Sequence, residues 1–466
     1  MQQKKPTAIT AIALAFITSL SFSCQKETTI APVKSEEPTS RSSKKPADPG
    51  FAENNMVMYW NEKTTTVLSV PMTQPRRSRL FAITQIAVHD ALNAIKPKYE
   101  RYALLNVREQ FANPDAAIAG AAYWVIKGLN LQRDFPIDTW YNESLATIPD
   151  GEGKNLGTAL GKQAADAILA DRANDGLSLV LVTSLVPADG DDPGEYRVTL
   201  PWANPALNLP HLKNIPNWGT VMKPFVLQSN DRFRPAGPDP VNSTAYTQDF
   251  NEVKSKGARV GHSRTTEETE IANFWSDVRP SLIWNRLARN IINNRKIDAW
   301  KTARLFALMH TAMADGINSV MEAKYYFYYW RPETAVRLAD NDGNPNTTGD
   351  ANWLPSVTEV PNTNPLMTVY TPPIPEYPSS YTMYGGVVAE VLKQFFGTDE
   401  ITFDLTSFTL PSTTRHYSSL SQASRENSVA RICMGSYFRK GALDGEEQGK
   451  QIANYVFNHS FKESDE

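Results

Sequence analysis

The sequence predicts an all-α protein, and three observations carry that reading. From about Asn55 onward, apolar residues recur at three- and four-residue spacing, the period of a helix face packed on a core. Strict alternation, the mark of a half-buried strand, is weak throughout. Hydrophobic residues are 41% and aromatics 10% of the 466 residues. That suffices for a large core and excludes a disordered chain. The length suits one large domain or two of ordinary size.

The first element is an address. Lys4 and Lys5 precede an apolar run from Ala8 to Phe22 that is too short to span a bilayer comfortably, which reads as a secretory signal over residues 1–23. It ends in Leu20-Ser21-Phe22-Ser23-Cys24, small residues before a lone cysteine, so Cys24 is expected to carry a lipid. Residues 24–50 are rich in Ser, Thr, Lys, Glu and Pro and read as a flexible tether. The expectation is an exported lipoprotein anchored in a bacterial envelope, facing the periplasm or the exterior.

Helices follow in order. Ala116–Asn130 and Leu156–Ala173 carry helical periodicity. Thr265 and Glu268 form a capping-box pair ahead of Ile271–Trp275, and Asp298 is an N-cap for a long helix to about Trp330. Gly385–Phe396, Leu420–Tyr437 and Gly445–Phe461 complete the set. Between them, Pro201–Pro240 is proline-rich and reads as an irregular excursion. An internal echo links the halves: Arg79-Leu80-Phe81-Ala82 with Ala87, Asp90 and Asn93 recurs, at the same spacing, as Arg304-Leu305-Phe306-Ala307 with Ala312, Asp315 and Asn318. Two helical bundle halves, about 51–200 and 260–466, are expected within one 51–466 domain.

Composition excludes several functions. Lys+Arg number 47 against 50 Asp+Glu, a net charge of −3, which argues against a dedicated nucleic-acid binder. Two cysteines, Cys24 and Cys433, and six scattered histidines give neither a disulfide framework nor a zinc motif. Asp340-Asn341-Asp342-Gly343-Asn344 begins like a calcium loop, but Pro345 and Ala351 stand where that loop needs Gly and Glu, so it reads as a turn. His89 and His310 read as core histidines, Cys433 as a buried thiol, and His416 as a residue near the third motif below.

Three motifs carry chemistry. Lys324 and Arg331 stand seven apart in a run of aromatics, one helix face two turns apart, with Pro332 placing the guanidinium at the helix end. Pro375-Glu-Tyr-Pro378-Ser379-Ser380-Tyr381-Thr382 reads as a loop opening a helix, where hydroxyls and free N–H groups make an anion cradle. Ala430-Arg431 to Tyr437, inside a helix, adds another guanidinium. Snorkelling cations, a plain serine cap and a surface arginine are the structural alternatives.

Together the motifs resemble the vanadium-dependent haloperoxidases and the type 2 phosphatidic acid phosphatases, whose pattern is Lys, six residues, Arg-Pro; Pro-Ser-Gly-His; and Ser-Arg, five residues, His, three residues, Asp. The bacterial haloperoxidase-like branch is the closer match, through Ala87-Val88-His89-Asp90-Ala91, Phe274-Trp275, Asp342-Gly343-Asn344, Gly445 and Gly449. The resemblance runs from about Trp60 to Phe457 and implies two packed helical bundles around one oxyanion site. It implies that Lys324, Arg331, Arg431, Ser379 and Ser380 hold phosphate or vanadate. Tyr381 then falls at the acid–base histidine and Tyr437 at the histidine that acts as nucleophile or axial vanadate ligand. Gly441 falls at the aspartate and Ala430 at the serine.

A phenol with its usual pKa near 10 is a poor nucleophile and ligand at neutral pH, although three nearby cations would depress it. The first expectation is therefore an oxyanion-binding lipoprotein, its ligand phosphate or a phosphorylated small molecule, that has lost the histidine catalysis. The alternatives are an active vanadate-dependent haloperoxidase or phosphatase using Tyr437 and Tyr381, and a non-catalytic surface-interaction protein with a vestigial pocket.

Overall fold

A computed structural model describes residues 55–131, 134–182, 188–199, 217–295, 297–356 and 371–464, and among these polar caps and proline-marked starts set off fourteen α-helices and one two-stranded sheet. The signal, Cys24 and the tether lie outside the described residues, as do 200–216 of the proline-rich excursion. The first helices are α1 (Met56–Val67), α2 (Gln74–Ile95), α3 (Pro114–Gly128), α4 (Ile137–Ala146), α5 (Glu152–Asp171), α6 (Leu177–Val182) and α7 (Thr244–Lys256). The second set is α8 (Thr266–Phe274), α9 (Pro280–Arg295), α10 (Ala299–Phe327), α11 (Pro332–Leu338), α12 (Ser380–Phe396), α13 (Leu420–Cys433) and α14 (Arg439–His459). Strands β1 (Phe403–Thr406) and β2 (Thr414–Tyr417) pair antiparallel with Phe403 opposite Tyr417. Four-residue strands are too short for alternation to announce them.

The expected caps are present. Thr265 Oγ1 accepts from Glu268 N at 3.1 Å while Glu268 Oε2 accepts from Thr265 N at 3.0 Å. Asp298 Oδ1 accepts from Lys301 N at 2.9 Å, starting α10.

Helices α2 and α10 pack on each other at the centre, buried on every side. Their interior polar groups are satisfied locally, as burial requires. Asp90 accepts the N–H groups of Tyr102, Ala103 and Leu104, and Asp315 those of Phe225, Val226 and Leu227. His89 bonds to the Glu100 carbonyl at 3.0 Å, and His310 stacks on Phe81 and reaches Asn285 Oδ1 at 2.9 Å. Around this pair, α3 packs on α5 and α12 on α14. The second seam is close: a Cβ on Gly445 of α14 would stand 2.3 Å from the Ser379 carbonyl at the start of α12. Only glycine permits that approach.

Two helical expectations need correction. Helix α10 ends at Phe327, where Tyr328 turns left-handed at φ 46°, so Arg331 is not on the helix that carries Lys324 but is the N-cap of α11. Helix α13 ends at Cys433 rather than continuing through Tyr437. Gly435 takes φ 71° with its Cα facing Gly257, so Tyr437 lies in the link to α14. In both places the apolar period runs on through a backbone reversal that it does not encode.

Candidate functional site

The reversals at Tyr328 and Gly435 create the site. Three links between helices carry an aromatic residue beside a polar one: Trp330 beside Arg331, Tyr377 beside Glu376, Phe438 beside Tyr437. Trp330, Tyr377 and Phe438 enter a second hydrophobic cluster with Tyr246 and Trp353, while the Tyr437 ring lies against Lys324 and Arg331.

Lys324, Arg331 and Arg431 are all buried, exposed by 0%, 0% and 1%. Their bonds run to main-chain carbonyls. Lys324 Nζ donates to Pro375 O at 2.8 Å and Glu376 O at 2.6 Å, and Arg331 donates to Ile374 O at 2.8 Å and Ser436 O at 2.9 Å. Arg331 Nη2 has no partner among the described residues. Arg431 reaches Asn427 O at 3.4 Å and the carbonyl of Trp275 at the end of α8, where a helix C-terminus favours a cation. Aromatic rings cover the rest: Tyr437 lies 5.2 Å from Lys324 Nζ and 4.7 Å from the Arg331 guanidinium, and Tyr381 lies 4.6 Å from that of Arg431.

Ser379 caps α12, its Oγ accepting from Thr382 N at 3.4 Å while its own N–H donates to Gly441 O at 2.9 Å. Ser380 begins the helix and is buried. The helix start therefore presents the N–H groups of Ser380 and Tyr381, beyond reach of any i−4 carbonyl.

Electrostatics bring several groups toward neutral pH. Burial, aided by Arg331 and opposed by Tyr437, lowers Lys324 to about 8. Burial pushes Tyr437 up, but Lys324 and Arg331 more than offset it and leave the phenol at about 8. Burial raises Tyr381 to about 12 and lowers Arg431 to about 10.

Glu376 is the residue that sequence reasoning missed. It is 0% exposed, and burial raises its carboxyl to about 7 against the pull of Lys324 and Arg331. Its signal was a carboxylate between Pro375 and Pro378, next to a serine cap in an apolar loop. The five oxyanion-binding residues expected from sequence all lie on the segments that meet here. His416 does not join them: it sits exposed on β2, its Nδ1 2.5 Å from Asp404. Cys433 is buried against Ala272 and Met434. Asp342 accepts from Asn344 N at 2.7 Å in a turn.

Comparison with known proteins agrees with this architecture. Residues 304–465 match the second helical-bundle domain of the vanadium chloroperoxidase family. The vanadium chloroperoxidase of Curvularia inaequalis is 25% identical over 417 residues, covering 75% of this chain and 67% of that one. A bacterial vanadium-dependent iodoperoxidase superposes with a TM-score of 0.71 at 24% identity, covering 88% of this chain and 97% of its own. A bacterial vanadium-dependent chloroperoxidase in its holo form gives 0.64 at 15% identity, covering 88% and 99%. The all-α bundle and the second-bundle match over residues 304–465 show that the chain shares the fold of the vanadium-dependent haloperoxidases and is similar to them.

Proposed function

We propose that this protein binds a phosphate-like oxyanion on Lys324, Arg331, Arg431 and the Ser379–Ser380 helix start, without the histidine chemistry of its superfamily. One observation carries the reading: three fully buried cations whose hydrogen bonds go to carbonyls rather than carboxylates. A buried charge is costly unless a counter-charge accompanies it. The cluster is short of negative charge, and a small oxyanion would supply it. Tyr381 and Tyr437, read as occupying the histidine positions, argue against histidine-type proton transfer and attack. The ligand class is phosphate or the phosphate group of a small molecule. Orthovanadate would be held by the same donors, with Tyr437 the candidate ligand among the described residues, and when bound would supply the oxidative chemistry of the haloperoxidases. Lipidation at Cys24 would hold the site at a bacterial membrane, in the envelope.

A second reading has its own observation. Tyr437 stands at about 8, where an appreciable fraction is phenolate near neutral pH. A phenolate ligates and attacks where a phenol does not, so an active enzyme using Tyr437 is the alternative.

Calorimetric titration with orthovanadate and phosphate decides between them, with Arg431→Ala alongside and with bromide oxidation and phosphoester hydrolysis assayed on the same samples. The expected result is saturable binding, abolished by Arg431→Ala, without turnover. Turnover removed by Tyr437→Phe would establish the second reading. No binding would refute both.

A further inference from the structure

We propose that Glu376 is the site's built-in carboxylate, delivered into a gap left by Gly441, and that its ionisation competes with the bound oxyanion for the cations. The proposal deepens the oxyanion reading and rests on it for the ligand.

The geometry is specific. Glu376 Oε1 accepts the N–H of Phe438 at 3.0 Å, the residue after Tyr437. Its main-chain carbonyl holds Lys324 Nζ at 2.6 Å, so its backbone and side chain engage both sides of the cluster. The carboxylate fits because residue 441 has no side chain. A Cβ there would stand 2.3 Å from Oε1 and 2.8 Å from Oε2. Oε2 is buried with no partner among the described residues, an expensive arrangement for an ionised carboxylate. A protonated carboxyl with Oε2 as the hydroxyl costs less.

Beside it opens a cavity of about 10 Å³ lined by Asp239, Asp249, Tyr329 and Lys440, the scale of one water. It offers the proton a way to and from the carboxyl.

The groups facing Glu376 come from every packed element. Lys324 of α10 and the N-cap Arg331 of α11 favour its ionised form, while Asp249 of α7 opposes it. Asp239, ahead of α7, and Lys440 of α14 flank the cavity, and Tyr437 lies over the same two cations. With an oxyanion bound, the cations are matched and the carboxyl keeps its proton. When Glu376 loses that proton to solvent through the cavity, the oxyanion is the surplus negative charge and dissociates. One proton leaves for each anion released.

Sulfate is the probe, because its charge is constant across the pH range used. Calorimetric titrations of the protein, Glu376→Gln and Gly441→Ala at about pH 6 and pH 7.5 are expected to show affinity falling about fourfold with pH in the parent. Glu376→Gln removes that fall and binds about fourfold more tightly than the parent at the higher pH. Gly441→Ala, which crowds the carboxylate, also blunts the dependence. Sulfate affinity that is flat with pH in the parent, or equally steep in Glu376→Gln, overturns the proposal.

Urea unfolding at the same two pH values separates this from failure of the oxyanion reading. A carboxyl raised on folding makes the parent less stable as pH rises through this range, and Glu376→Gln loses that slope. Absence of sulfate binding with the slope intact would sink the oxyanion reading and leave Glu376 as a proton-holding carboxyl. Loss of both would sink both.

Discussion

Two regions of this molecule bury a pair of arginines or more, and they neutralise them differently. In the first half, Asp175 Oδ2 receives Arg79 Nε at 2.6 Å and Arg172 Nε at 3.2 Å. Arg172 sends its other donors to the carbonyls of Lys223 and Pro224 and lies 3.9 Å over Phe225. In the second half, Lys324, Arg331 and Arg431 have carbonyls and tyrosine rings, and their carboxylate, Glu376, bonds to a backbone N–H instead. A cluster that serves only the fold brings its counter-charge with it. One kept short of negative charge is what the proposed oxyanion reading requires.

The sharpest way to break this comparison is to remove the counter-charge where it is present. Asp175→Ala leaves two buried guanidiniums unmatched and is expected to cost about 3–5 kcal/mol in urea unfolding, with oxyanion affinity unchanged. An unaltered midpoint would mean that the two regions do not differ as argued.

Lys324→Met tests the other side. It orphans the carbonyls of Pro375 and Glu376, worth about 1–3 kcal/mol, but it also removes a cation from an anion-poor cluster. Its net cost is therefore expected to be smaller than that of Asp175→Ala, while orthovanadate binding is lost. A larger cost than at Asp175 would make the second cluster structural too.

Stability against pH sharpens the contrast. Lys324 and Tyr437 both fall to about 8 in the folded protein. Between about pH 8 and pH 10 the unfolded chain thus binds more protons than the native state, and stability rises with pH. Tyr437→Phe should flatten that rise, whereas a Tyr102→Phe change in the first half should not, since Tyr102 is held above its usual range by burial. Chemical denaturation at three pH values would reveal it.

The smallest effect belongs to the cap. Ser379→Ala should cost about 1 kcal/mol in thermal unfolding, as should Asp298→Ala at the start of α10. Only the first should also weaken anion binding, severalfold. Equal behaviour of the two would make Ser379 a cap and nothing more.

Much of this was legible in the sequence because it is locally encoded. The Thr265–Glu268 capping box, the Asp298 cap and the periodicity of α3, α5 and α12 depend on neighbours three or four residues apart. The motif residues were legible by type and spacing. The backbone reversals at Tyr328 and Gly435 were not, because the apolar pattern continues through them and packing against other segments imposes them. Glu376 was hidden for a related reason. Its role depends on the gap at Gly441, sixty-five residues away, and on the folded proximity of Lys324. Against the family pattern Gly441 reads as a lost aspartate, whereas in the fold its vacant side-chain space admits the carboxylate of Glu376.

The matching clasps made by Asp90 and Asp315 bear on how the chain can vary. Each carboxylate grips three consecutive backbone amides of a passing segment and so fixes that segment against a central helix. Because loop closure grows only logarithmically with length, by about 0.6 kcal/mol per doubling, the stretch ahead of Phe225 can lengthen or shorten at little thermodynamic penalty. Variation in this architecture is therefore expected to accumulate ahead of Phe225, leaving the central helix pair and the cations beside it in register.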